Sequence, residues 1–108
     1  MDFEELQDRV LAWADDKDLL HEENAEKQFL KFMEEVFEFK TEFDLLKLTG
    51  DGDFVSMQLE MGDIFVTLII LCMQLQLDPV DCLESAYNKI KSRQGKTING
   101  QFIKEEDL

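Results

Sequence analysis

Across the 24 residues from Phe54 to Leu77 the only charged side chains are Glu60 and Asp63, and large apolar residues fill nearly every other direction. A helix with so little polar surface has no ordinary solvent face, so it is expected to lie centrally and to be buried on most sides. Spacing i, i+3 sets Glu60 and Asp63 on one face. At about 100° per residue, Ser56, Thr67 and Gln74 fall in the same narrow sector. Unpaired carboxylates on a buried helix are very unfavourable, so this stripe calls for a cation, a basic partner or a water-filled pocket. Gly62 sits between the two acids, where it costs ~1 kcal/mol of helix propensity relative to Ala. Close approach of another backbone or a ligand would account for it, and so would plain helix packing.

The rest of the chain organises around that helix. Phe3, Leu6, Val10 and Trp13 recur at three- and four-residue intervals, which predicts an amphipathic helix over 2–15. A second helix is expected from Asn24, as N-cap, to about Leu48, with Gly50 as terminator and Asp51-Gly52-Asp53 as the turn. Asp78-Pro79 reads as N-cap and first residue of a fourth helix that ends near Arg93-Gln94-Gly95. The tail, Lys96 to Leu108, contains Asn99-Gly100, which suits a two-residue hairpin turn between very short strands. The expectation is an all-α fold: one compact four-helix bundle-like domain over residues 1–108 with a short C-terminal tail or hairpin.

The second helix carries its own polar stripe. Gln28, Lys31, Glu35, Glu38 and Glu42 lie within about 80° of one another on a helical wheel. Phe29, Phe32, Val36, Phe39 and Phe43 flank them on one side, and Leu30, Phe37 and Leu48 on the other. An acidic stripe bordered on both sides by large apolar residues is not an ordinary solvent face. If the apolar flanks of the two helices pack together, Glu35, Glu38, Glu60 and Asp63 converge. Four carboxylates in one place cannot all stay ionised without cations. An all-oxygen set suits Mg²⁺, with Mn²⁺ as a substitute, rather than zinc. Pairing with Lys or Arg is the competing explanation, and it is short of partners because no basic residue lies between Lys47 and Lys89.

Net charge narrows the partners. With 25 Asp/Glu against 11 Lys/Arg the formal charge is −14, which argues against gripping a nucleic-acid polymer. The charge is uneven, however. Residues 1–84 hold 22 acids and 6 bases, whereas 85–104 hold Lys89, Lys91, Arg93, Lys96 and Lys104 and no acid. Lys89 and Arg93 share a helix face, suited either to an anion or to the negative end of the helix dipole. The N-terminus has no signal-peptide pattern, and the most apolar run, Ile64 to Met73, is shorter than the ~20 residues that span a bilayer. A soluble cytoplasmic protein without a membrane partner is therefore expected. Cys72 and Cys82 lie in helical segments and read as small core residues. Trp13 reads as core or subunit interface in preference to a base-stacking residue.

At these positions the chain resembles a known family. Lys31-Phe32-Met33-Glu34-Glu35-Val36-Phe37-Glu38 is similar to the K-x-x-E-E-x-x-E motif of MazG-type, all-α nucleoside triphosphate pyrophosphohydrolases. Glu60-Met61-Gly62-Asp63 is similar to its E-x-x-D partner, and Lys89 to Arg93 to its K-x-x-x-R. The likeness extends over about residues 24–108, with one departure at Tyr87, where many members carry Asn. It implies hydrolysis of nucleoside triphosphates to monophosphate and pyrophosphate with Mg²⁺. Glu35, Glu38, Glu60 and Asp63 would then be metal ligands, and Lys31, Lys89 and Arg93 would face the phosphates. Glu35 or Glu38 would orient or deprotonate the attacking water, and Gln28, one turn before Lys31, reads either as a base contact or as a polar margin residue. The resemblance also implies a homodimer or dimer of dimers. The competing expectation is a non-catalytic helical oligomer that binds divalent metal or nucleotide in a regulatory role.

Overall fold

Each helix begins where the sequence provides a cap. The computed structural model, which describes all 108 residues, opens with α1 (Phe3–Asp16), capped by Asp2 accepting from the Glu5 amide at 2.8 Å. A single 3₁₀ turn, Glu22–Asn24, leads into α2 (Ala25–Thr49). Asn24 makes no side-chain capping bond there, because the 3₁₀ turn itself starts the helix. Gly50, at φ 72°, ends α2 in the left-handed conformation and donates its amide to Leu46. Asp53 then caps α3 (Phe54–Gln74), and Asp78 caps α4 (Pro79–Ile90).

Two helices are shorter than expected. α3 stops at Gln74, three residues before Leu77, because Gln76 adopts φ 60° and the Leu77 amide turns back to the Cys72 carbonyl. α4 stops at Ile90 because the chain must turn into strand β1 (Gly95–Ile98). β1 pairs antiparallel with β2 (Gln101–Lys104) across Asn99-Gly100, both at positive φ as a two-residue turn requires. A final 3₁₀ turn, Glu105–Asp107, follows. The fold is mostly helical, bundle-like, with one small hairpin.

α2 and α3 form the principal helix pair, α1 packs on α3, and α4 touches α3 lightly. α3 is central, as its composition predicts, but it is not buried on most sides. Thr67, Ile69, Ile70 and Gln74 are buried, whereas Phe54, Val55, Leu59, Met61, Phe65 and Leu68 remain exposed. A Cβ at Gly62 would meet nothing within 4 Å, so no approach within this chain explains that glycine. Only seven of 108 residues are buried, and only Ala14, Ile69 and Ile70 among them are apolar. The radius of gyration is 17.0 Å, against about 13 Å for a compact chain of this length. The single chain is thus more open than a closed bundle. Cys72 is half-buried, and its thiol is pushed up by burial and by the neighbouring Cys82 thiol; Cys82 is exposed rather than core. α3 also has the length and apolarity of a membrane span, 21 residues with a mean hydropathy of 1.7 in its best window.

Candidate functional site

The residues of α2 that turn toward α3 recur at i, i+4, i+7: Gln28, Phe32, Glu35, Phe39, Glu42 and Leu46 are all at least half-buried. The polar stripe therefore lies inside the α2–α3 seam, and Glu35, at 7% exposure, is the one fully buried residue of α2. On the facing helix Glu60 is half-buried, Asp63 exposed and Thr67 buried. The Gln28 amide donates to the Thr67 carbonyl at 3.2 Å and ties the two helices together at this level. A cavity of about 370 Å³ opens beside this contact, lined by Gln28, Lys31, Glu35, Asp63, Thr67 and the ring of Trp13.

Electrostatics set this seam apart from an ordinary helix contact. Lys31 Nζ lies 3.2 Å from Glu35 and 3.7 Å from Glu34. The hydrogen bond to Glu35 is the chief reason the Lys31 ammonium is held above its ordinary range. Glu38 has its carboxyl raised, first by a hydrogen bond to Glu35 that favours the protonated form and then by the charge of Glu35. Glu60 is raised chiefly by burial, then by the charges of Glu42, Asp63 and Glu35. One oxygen each of Glu35 and Glu60 (Oε2 in both) is buried and receives no hydrogen bond. Buried carboxylate oxygens without donors fit a hard cation, the ligand chemistry that an all-oxygen set provides.

The predicted residues are only partly brought together. Gln28, Lys31, Glu35 and Asp63 share the cavity. Glu60 senses Glu42 more strongly than Asp63 or Glu35, so Glu42 belongs to the acidic group although the sequence pattern placed it only in the stripe. Glu38 is exposed and adjoins the cavity through Glu35 rather than lining it. No group of three or more Asp, Glu, His or Cys side chains is gathered closely enough to hold an ion as the chain stands. Lys89 and Arg93 form no ion pair within the chain, and Arg93 lines a separate cleft with Ile90 and Phe102. Trp13 is exposed rather than core, and it flanks the site cavity. Its place at the end of the Phe3-Leu6-Val10-Trp13 stripe gave no signal for that: Phe3, Leu6 and Trp13 remain exposed, and the buried residues of α1 are Gln7 and Ala14.

Comparison with known proteins adds one relative. The chain is 31% identical over 84 residues to a protein of Haemophilus phage HP1 (strain HP1c1), described as an uncharacterized 18.2 kDa protein in the rep-hol intergenic region. The match covers 73% of this chain and 45% of that protein, so this chain spans less than half of its relative's length. No family model and no solved structure matches.

Proposed function

We propose that the protein is a Mg²⁺-dependent nucleoside triphosphate pyrophosphohydrolase of the MazG type, releasing nucleoside monophosphate and pyrophosphate. The observation that supports this reading is the run of Glu35, Glu42, Glu60 and Asp63 along the α2–α3 seam, where one carboxylate oxygen each of Glu35 and Glu60 is buried without a donor and Glu35 and Asp63 line an open cavity. Glu35, Glu38, Glu60 and Asp63 are the proposed metal ligands. Held by these residues, Mg²⁺ or Mn²⁺ would supply charge neutralisation for a bound triphosphate.

The chain's own residues take the other roles. Lys31, now paired with Glu35, turns to a phosphate oxygen when substrate enters. Glu38, whose carboxyl is raised by its hydrogen bond to Glu35, is a candidate to accept a proton from the attacking water. Glu35 is the other candidate for that role. Gln28, held through its amide nitrogen, keeps its carbonyl oxygen for a base edge. Lys89 and Arg93, without acidic partners, are the further phosphate contacts in this reading, and homo-oligomerisation is part of it. Purified protein incubated with Mg²⁺ and a panel of canonical and modified NTPs and dNTPs should release pyrophosphate. No release from any of them refutes the reading.

A second reading is non-catalytic binding of metal or nucleotide in a regulatory oligomer. It is favoured by the Lys31–Glu35 pair, which neutralises part of the acid group without a cation. Calorimetry that finds Mg²⁺-dependent nucleotide binding, with no turnover, would select it.

A further inference from the structure

The N-terminal turns of α1 and α4 border one cavity, of about 210 Å³, lined by Glu4, Gln7, Asp8, Asp78, Val80 and Asp81. Acids near a helix start are ordinary, because they face the positive end of the helix dipole. Here two such starts share one cavity, so four carboxylates surround it and Val80 is the one apolar residue of the lining. No Lys, Arg or His borders it, and none of the four acids takes part in an ion pair within the chain. Asp78 uses Oδ1 to accept from the Val80 and Asp81 amides, at 2.8 and 3.1 Å, which leaves its Oδ2 free.

A neutral residue marks the same cavity. Gln7 is 6% exposed, and its Oε1 is buried and receives no hydrogen bond. The helix dipole does not explain that, since the amide carries no charge and Asp2 already caps α1. A buried acceptor without a donor is costly, and coordination to a cation relieves it. The donor set also separates one cation from another. Mg²⁺ demands a near-ideal octahedron, whereas Ca²⁺ takes about six to eight oxygens in flexible geometry and accepts amide carbonyls beside carboxylates. The donors here come from two helices, combine four carboxylates with one amide, and are not drawn tightly together. Exposed and unpaired, Glu4, Asp8, Asp78 and Asp81 are free to turn inward. The cavity has room for an ion with several waters, at ~30 Å³ each.

We propose that Glu4, Gln7, Asp8, Asp78 and Asp81 form a Ca²⁺ site that ties the start of α4 to the start of α1. α4 touches α3 lightly and has no buried residue, so a link through the ion supplies a hold that packing does not. The site is separate from the acidic seam, because no residue lines both cavities. It stands or falls independently of the hydrolase reading, which calls on Mg²⁺ or Mn²⁺ between α2 and α3.

Amide NMR of the full chain during titration with CaCl₂ tests the site. An ionic strength of about 0.15 M screens exposed charges more than about 8 Å apart and so suppresses diffuse attraction to the acidic surface. The Gln7 side-chain amide and the Asp8, Val80 and Asp81 backbone amides are expected to shift together and to saturate at one ion per chain. Hydrogen exchange should slow along α4. Asp8→Asn with Asp81→Asn should weaken binding by about tenfold or more, a loss that even outer-shell partners of a metal produce. Gln7→Leu, which keeps the position buried without its amide oxygen, should weaken it too. Glu60→Gln, in the seam, should leave these shifts unchanged. No saturable shift at Gln7, Mg²⁺ acting at the same concentration as Ca²⁺, or binding indifferent to the asparagine pair would each overturn the proposal.

Discussion

Lys31 Nζ sits 3.2 Å from Glu35 Oε1, one helical turn away, while Oε2 of the same carboxylate is buried without a donor. One half of Glu35 is therefore neutralised by the chain and the other half is left for something else. The same helix turn thus carries both a cation paired with the carboxylate and an oxygen lone pair without a donor.

Replacing Glu35 by Gln keeps the shape of this arrangement and removes its charge. We expect Glu35→Gln and Asp63→Asn each to reduce pyrophosphate release by about 100-fold or more, the scale seen when a group that stabilises transition-state charge is lost. Lys31→Met should lower the rate as well, and should leave Glu35 without its cationic partner. Steady-state assays with Mg²⁺ at saturating nucleotide separate the variants.

The carboxyls of Glu38 and Glu60 are raised above their ordinary range. The folded state therefore binds these protons more tightly than the unfolded chain. Their effect on stability is unfavourable at neutral pH and is relieved as pH falls through the raised values. Mg²⁺ should relieve the same repulsion. Thermal melting is expected to rise on adding Mg²⁺ at pH 7.5, to rise less at pH 5, and to respond weakly at either pH in Glu60→Gln.

Asp53 behaves oppositely. Its side chain accepts from the Ser56 hydroxyl and from the Ser56 and Val55 amides, and these bonds hold its carboxyl below the ordinary range. The stability it contributes is present above the unfolded-state pKa, about 3.9, and is lost as pH falls through the lower folded value. Asp53→Ala should melt below wild type at pH 7, and the gap should close toward pH 2.

Gln74 is 2% exposed, and its amide donates to the Leu19 carbonyl at 2.7 Å, pinning the loop after α1 to the end of α3. Gln74→Ala removes that donor and leaves a small void. We expect a loss of about 2 kcal/mol in urea denaturation, with no change in the metal response of the acidic seam.

Much of the local structure was legible because it depends on neighbours in sequence. Asp53, Asp78 and Gly50 mark helix ends through bonds to amides and carbonyls a few residues away. Asn99-Gly100 determines its own turn by tolerating positive φ. The two acidic stripes were legible for the same reason, since i, i+3 and i, i+4 spacing fixes which residues share a face. The end of α3 was not, because Gln76 is an unremarkable residue for helix interiors and only the returning Leu77 amide makes its positive φ worthwhile.

What the sequence by itself determined is the set of helices and the faces on which their carboxylates lie. Only the tertiary structure decided which faces meet. It brought Glu42 within electrostatic reach of Glu60, set Trp13 beside the cavity, and left Lys89 and Arg93 without an ion pair in the chain. It also showed that the apolar face of α3 is half uncovered, although composition alone implied burial on most sides. The reason is physical: periodicity records that a face avoids water, whereas the partner that covers it depends on distant residues, or on another molecule, that periodicity does not name.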